Sequence, residues 1–216
     1  MGPDLIIFDC DGVLVDSEPL SNRVLTDCLN EAGFALSFEE VTRSFIGLTL
    51  NRCFAMLEER FGRPVPPDFE VALQERTYAR FRSELEAVPG VVDVLDSLDE
   101  NGHATCVASS GTIEKMQVSL GVTGLWDRFD GRIFNSAMVA RGKPWPDLFL
   151  HAAERMGAAP ANCVVIEDSL PGVRAARAAG MTIFGYVGGV LSRPLAAEGA
   201  VEFDDMARLP ALIKAL

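Results

Sequence analysis

Apolar positions repeat in two ways along the chain, and the change of period divides it. Leu5–Phe8 is an unbroken apolar run, the pattern of a strand buried on both faces of a parallel sheet. After Asp16 the spacing becomes helical: Leu20, Val24, Leu25, Cys28, Leu29 and Ala32 share one face, and Gly33 supplies a stop. Ser37 followed by Glu40 forms a capping box for a second helix. Thr49 caps a third that carries Leu50, Cys53, Phe54, Leu57 and Phe61, and Pro66-Pro67 precedes a fourth running to about residue 85. No strand is predicted between residues 17 and 86.

From residue 88 onward strand-like runs alternate with amphipathic helices. Strands are predicted at 104–108, 132–135, 163–166, 182–186 and 201–203, and helices near 91–101, 112–120, 146–156, 172–179 and 206–216. Such alternation specifies an α/β fold, a doubly wound parallel sheet covered on both faces. Its first strand is cut off from its partners by the helical stretch. Residues 1–16 and 88–216 therefore form the expected core domain, and residues 17–87 a small α-helical cap inserted after the first strand. The two crossings, near Asp16-Ser17 and residues 87–89, serve as hinges.

Composition narrows the function. At 216 residues and 49% hydrophobic, the chain has material for a sizeable core. A formal net charge of −12 argues against nucleic acid or an anionic membrane as partner, because both need clustered Lys and Arg. A phosphorylated small molecule remains open to it, since a divalent metal and one lysine reverse the local field. Cys10, Cys28, Cys53, Cys106 and Cys163 are odd in number and contain no C-x-x-C pair, so they read as small buried hydrophobes in a reducing cytosol. His103 and His151 are too few for a zinc site. No apolar run reaches the roughly 18 residues of a membrane span, and the start of the chain lacks a signal-peptide pattern; the expected location is cytoplasmic. A monomer or weak homodimer is expected.

Chemistry concentrates at predicted strand ends, where open parallel sheets bind ligands. Asp9 and Asp11 close off the first strand, and Gly12 lets the backbone approach a bound group. Period two puts both carboxylates on one side, where they repel unless a cation lies between them or one holds a proton. Ser109, Ser110 and Gly111 end the second strand and either bind a phosphate at a helix N-terminus or simply cap that helix. Lys143, held extended by Pro144, either neutralises a phosphoryl group or is solvated. Its loss is expected to cost rate more than stability. Glu167 and Asp168 offer the oxygens that magnesium prefers, or cap the next helix. Four polar clusters at strand ends in one consistent order make independent accident a poor explanation.

In these residues the chain resembles the haloacid dehalogenase superfamily over nearly its whole length. Asp9-Cys-Asp11-Gly-Val-Leu-Val-Asp16-Ser-Glu18 matches that family's first motif, Ser109 its second, Lys143-Pro144 its third and Glu167-Asp168-Ser169 its fourth. The resemblance implies a Rossmann-like core with a small cap and a magnesium-dependent phosphatase. In that scheme Asp9 attacks phosphorus to form an aspartyl-phosphate, and Asp11 protonates the leaving oxygen and then activates water. Magnesium is held by Asp9, the Asp11 backbone carbonyl, Glu167 and Asp168. Ser109, Lys143 and the amides that follow Asp9, at Cys10 and Gly12, hold the phosphoryl oxygens. Ser21, Thr49, Asn51 and Arg52 are the cap groups expected to meet the substrate, and Glu18 orients the hinge or the water.

Two other readings compete. A phosphomutase of the β-phosphoglucomutase type uses the same core, but its cap histidine corresponds here to Ser21 and its cap arginine, aligned on the loop around Gly47-Leu48, to Leu50. A phosphoacceptor receiver combines similar groups, but lacks the helical insert and the second acid. The expected substrate is a small phosphomonoester, a sugar phosphate or phosphorylated sugar acid. The first-motif wording and Ser83-Glu-Leu-Glu-Ala87 look similar to bacterial 6-phosphogluconate phosphatases.

Overall fold

In a computed structural model the chain is described over residues 2–45, 48–192 and 194–216. Alternate residues of the first strand, β1 (Leu5–Phe8), feed two different cores. Ile6 and Phe8 point to one face of the sheet and Leu5 and Ile7 to the other, all fully buried. Burial on both faces also demands hydrogen-bonded neighbours on both edges. β2 (Ala104–Ser109) and β4 (Cys163–Glu167) supply them, each parallel to β1. With β3 (Ile133–Asn135), β5 (Thr182–Tyr186) and β6 (Val201–Phe203) they form a six-stranded parallel sheet of order β3-β2-β1-β4-β5-β6. The chain winds outward in one direction from β1 through β2 to β3, and in the other from β4 to β6. β1 is thus the switch point, beside which such sheets open a crevice.

Helices cover both faces. α5 (Val91–Glu100), α6 (Ile113–Val122) and α9 (Leu209–Lys214) pack on the Ile6/Phe8 side, and α7 (Asp147–Met156) and α8 (Leu170–Ala178) on the Leu5/Ile7 side. Between β1 and α5 come α1 (Ser17–Glu31), α2 (Phe38–Phe45), α3 (Leu50–Phe61) and α4 (Phe69–Glu84), with no strand among the described residues. They bury a third apolar cluster of their own that includes Leu29, Phe34, Val41 and Leu57. The capping box forms reciprocally: Ser37 N–H donates to Glu40 Oε2 at 3.0 Å and Glu40 N–H to Ser37 Oγ at 3.1 Å. Phe81 and Leu85 anchor the far end of α4 in the Ile6/Phe8 core. The two crossing segments are tied to each other, Asp16 N–H donating to Glu86 O and Val88 N–H to Leu14 O, both at 3.0 Å.

The boundaries depart from the predicted pattern in three informative places. β2 extends to Ser109 and β4 to Glu167, so both polar residues are the last members of buried strands rather than loop residues. α8 begins at Leu170, because the Ser169 hydroxyl accepts the Gly172 N–H at 3.1 Å and Pro171 occupies the first turn. The predicted 206–216 helix divides into a 3-10 turn at Met206–Arg208 and α9, since Pro210 has no N–H to give to a continuous helix and fits only at a start. The five cysteines are all buried and free.

Candidate active site

β1, β4 and the loop that carries Lys143 converge on one buried ion cluster. Phe8 is level with Ile166, so the next residues of the two strands, Asp9 and Glu167, emerge side by side, and Asp9 N–H still donates to Ile166 O at 2.9 Å. Lys143, whose side chain is only 4% exposed, donates to Asp9 Oδ1 at 2.9 Å and to Glu167 Oε1 at 2.6 Å. Its peptide bond to Pro144 is cis. Glu167 has no exposed surface at all. Its second oxygen accepts both the backbone N–H and the hydroxyl of Ser169 at 2.8 Å. Close packing fixes it: a Cβ at Gly172 would lie 1.7 Å from Glu167 Oε1.

Asp168 completes the cluster. Asp9, Glu167 and Asp168 each present a carboxylate oxygen, all within 4.8 Å of one another. Gly12, at φ +76°, makes room for Asp168, because a Cβ there would fall 1.9 Å from Asp168 Oδ2. One ammonium among three carboxylates leaves an excess of negative charge. Burial raises the Asp9 carboxyl to about 7; Lys143 opposes this and Glu167 adds to it. Burial likewise holds Asp168 well above the carboxylate range, with Glu167 and Asp9 as further causes. Lys143 stays charged, since Asp9 and Glu167 outweigh the burial that disfavours its ammonium. A hard divalent cation suits this set on three counts: oxygen donors, close spacing and uncompensated charge.

Asp11 does something else. The sequence pattern puts it beside Asp9 as a repelling twin, but its carboxylate is engaged elsewhere: Ser17 Oγ donates to Oδ1 at 2.5 Å and Lys115 Nζ to Oδ2 at 2.8 Å. Burial works to raise the Asp11 carboxyl, yet Lys115 and Ser17 outweigh it and hold the group below its ordinary value. Lys115 and Ser17 thus keep Asp11 as a carboxylate, while Asp9, which still feels the Asp11 charge, is the member of the pair pushed toward holding a proton. The Asp11 side chain lies outside the three-carboxylate group.

Ser109 is buried at the end of β2, where its hydroxyl oxygen accepts the Gly111 N–H at 3.1 Å. It does not cap α6. That cap is Thr112, which accepts the Lys115 N–H. Asn135, from the end of β3, donates to Gly111 O at 3.3 Å and secures the loop. Ser110, Gly111 and Lys115 border a cavity of about 470 Å3 that extends to α1, α3 and α4, and Ser21 and Glu18 line it as well. Thr49, Asn51 and Arg52 are exposed and are not among the described residues that line it. Thr49 instead caps α3 through the Arg52 N–H, and Asn51 and Arg52 occupy that helix's first turn. Gly47, on which the cap loop was aligned, lies outside the described residues. The Cys10 thiol is buried 3.8 Å from Ser119 Oγ, and burial pushes it well above the thiol range, so it packs rather than reacts.

Lys115 escapes a reading by strand ends and motifs, and Asn135 ends a predicted strand but belongs to no motif. One signal did mark Lys115: a cation in the first turn of a helix opposes the helix dipole and implies an anionic partner. For Asn135 the sign is its place as the polar last residue of the predicted 132–135 strand.

Known proteins resemble this chain in sequence and fold. The chain is 32% identical to the 6-phosphogluconate phosphatase of Escherichia coli (strain K12) over 98% of its length and 95% of that protein's. It is 31% identical to hexitol phosphatase B of the same organism over 81% of this chain and 79% of that one. A HAD family hydrolase from Deinococcus radiodurans R1, solved with bound phosphate and sodium, superposes with a TM-score of 0.83 at 33% identity, covering 99% and 96% of the two chains. The family model described as haloacid dehalogenase-like hydrolase matches residues 3–180. By sequence and by fold, this chain belongs to the haloacid dehalogenase-like hydrolases and is one of their phosphatases.

Proposed function

We propose that the chain is a magnesium-dependent phosphatase that hydrolyses a small phosphomonoester, a sugar phosphate or phosphorylated sugar acid, through an aspartyl-phosphate on Asp9. The observation that carries this reading is the convergence of Asp9, Glu167 and Asp168 around the Lys143 ammonium at the switch point of the sheet. Asp9, Glu167 and Asp168 would hold Mg2+ with the Asp11 backbone carbonyl. When bound, the ion screens the anionic nucleophile from the anionic phosphate.

The residues divide the work. An Asp9 oxygen attacks phosphorus in line, so an O–P bond forms as the bond to the leaving oxygen breaks. Asp11, held as a carboxylate by Lys115 and Ser17, takes the proton that a phosphomonoester monoanion carries and passes it to the leaving oxygen; it then takes a proton from the water that attacks the aspartyl-phosphate, which frees the Asp9 carboxylate, and releases it to solvent. Ser17 and Lys115 aim Asp11. Lys143 offsets charge on the phosphoryl oxygens, and Ser109, whose oxygen already accepts the Gly111 N–H, keeps its own proton to donate to them. Residues 17–87 act as the cap, with the paired crossings at Asp16 and Glu86–Val88 as its hinge. Ser21 lines the cavity where a mutase carries its histidine and lacks the imidazole's proton capacity, which favours hydrolysis over transfer within the substrate.

Phosphate release from a panel of sugar phosphates, sugar-acid phosphates and p-nitrophenyl phosphate, with Mg2+ and with EDTA, tests the reading. Hydrolysis in 18O-water places one labelled oxygen in the released phosphate. Return of the phosphoryl group to the substrate's carbon skeleton without label would establish a mutase instead.

A further inference from the structure

The cavity next to the carboxylates has an uneven charge. Lys115 is the single cation among the described residues that line it, and its ammonium is committed to Asp11 at 2.8 Å. Two carboxylates, Glu18 at the inner end and Glu70 on α4, line the same space, and Glu18 lies close enough to Asp168 to help push that carboxyl up. The rest of the lining is neutral and two-sided. Leu25, Leu50 and Leu73 make an apolar wall, while Asn22, Gln74 and Tyr78 bring amide and hydroxyl groups. At about 470 Å3 the space falls within the roughly 300–1,000 Å3 of small-molecule sites.

We infer, resting on the phosphatase reading above, that the leaving group held in this cavity is an uncharged polyhydroxylated one, a polyol or neutral sugar, and that a sugar acid is selected against. A carboxylate entering here gives up its hydration, meets the Glu70 carboxylate and finds no unengaged cation among the described residues. It could win Lys115 only in competition with Asp11, whose carboxylate that ammonium holds in place. A polyol meets none of these costs. Its hydroxyls exchange hydrogen bonds with Asn22, Gln74 and Tyr78, and its C–H edges lie on the leucines. Glu70 and the Lys115–Asp11 pair are the determinants of this selection. It separates the chain from the relative named as a 6-phosphogluconate phosphatase, despite their overall similarity.

The test compares kcat/KM of the full-length protein with Mg2+ for sorbitol 6-phosphate and 6-phosphogluconate, two six-carbon esters that differ chiefly in a carboxylate, with p-nitrophenyl phosphate as reference. The expected preference for the polyol ester is about tenfold or more. Glu70→Lys, at an exposed position on α4, should move the acid-to-polyol ratio toward the acid by roughly tenfold; a ratio of two substrates on one preparation cancels any change in folded fraction. Equal or faster turnover of 6-phosphogluconate by the unaltered chain overturns the inference while leaving the phosphatase reading intact. An unmoved ratio in Glu70→Lys removes Glu70 as a determinant. Failure to release phosphate from any of the three esters overturns both.

Discussion

Removing the Lys143 side chain leaves Asp9 and Glu167 as buried carboxylates with no ammonium between them. Breaking one side of a buried ion cluster typically costs about 3–5 kcal/mol, because the stranded charges keep their desolvation penalty. Lys143→Ala should therefore lose stability as well as rate, where the sequence alone predicts a loss of rate with a modest effect on stability; urea unfolding without divalent cation reads the loss directly. Asp9→Asn behaves oppositely. The amide keeps the shape and removes a charge that burial already disfavours, so the fold should be as stable as before or more so, while turnover falls at least ~1,000-fold for want of a nucleophile. Circular dichroism with steady-state kinetics on one preparation checks both halves, and appreciable residual turnover defeats the assignment of Asp9.

Among the elements, α8 and β4 share one residue's chemistry. Ser169 caps α8 through the Gly172 N–H and at the same time donates to Glu167 through its hydroxyl. Ser169→Ala should lower stability by about 1 kcal/mol through the lost cap. The same variant should raise the Mg2+ concentration for half-maximal activity about tenfold, since a ligand's supporting hydrogen bond is gone. Metal titration of activity alongside thermal melting separates the two effects, and an unchanged Mg2+ requirement would mean that Lys143, the Ser169 N–H and packing against Gly172 hold Glu167 without the hydroxyl. The end of β2 divides the two jobs instead: the strand includes Ser109, whose hydroxyl is placed by the sheet, while Thr112 does the capping.

For the molecule as a whole, folding gathers three carboxylates around one ammonium, so any cation that binds the folded state alone stabilises it. Mg2+ at a hundredfold its dissociation constant should add about 2.7 kcal/mol, visible as a rise in Tm. The pH dependence has a definite sign. In the cation-free protein the folded Asp9 carboxyl titrates at about 7 against 3.8 for the free group, so between those values the folded chain holds a proton that the unfolded chain has released. That contribution to stability is largest near the lower value and is lost as pH rises through about 7. Mg2+ must displace the proton, so its effect on Tm should be larger at pH 8 than at pH 6; differential scanning fluorimetry at the two pH values decides it, and the reverse order would place the binding event elsewhere.

Much of this was legible in the linear chain, because the relevant physics is local. An apolar run of four with acids behind it, a serine-glutamate capping box and alternating strand and helix patterns each follow from spacing, and they fix the parallel sheet and the polar ends of its strands. No helix of the described residues is long and apolar enough to cross a membrane, in keeping with that pattern. What only the tertiary structure decided is which charges meet. The Asp11–Lys115 pair spans 104 positions and the Lys143 contact with Asp9 spans 134, and such pairings depend on strand order and helix packing rather than on neighbours in sequence. Side-chain direction was equally hidden: two aspartates two positions apart serve different lysines, and the first turn of α3 gives the cavity Leu50 while the polar Thr49, Asn51 and Arg52 are exposed. Periodicity assigns a residue to a face, but the partner across that face comes from elements far away along the chain.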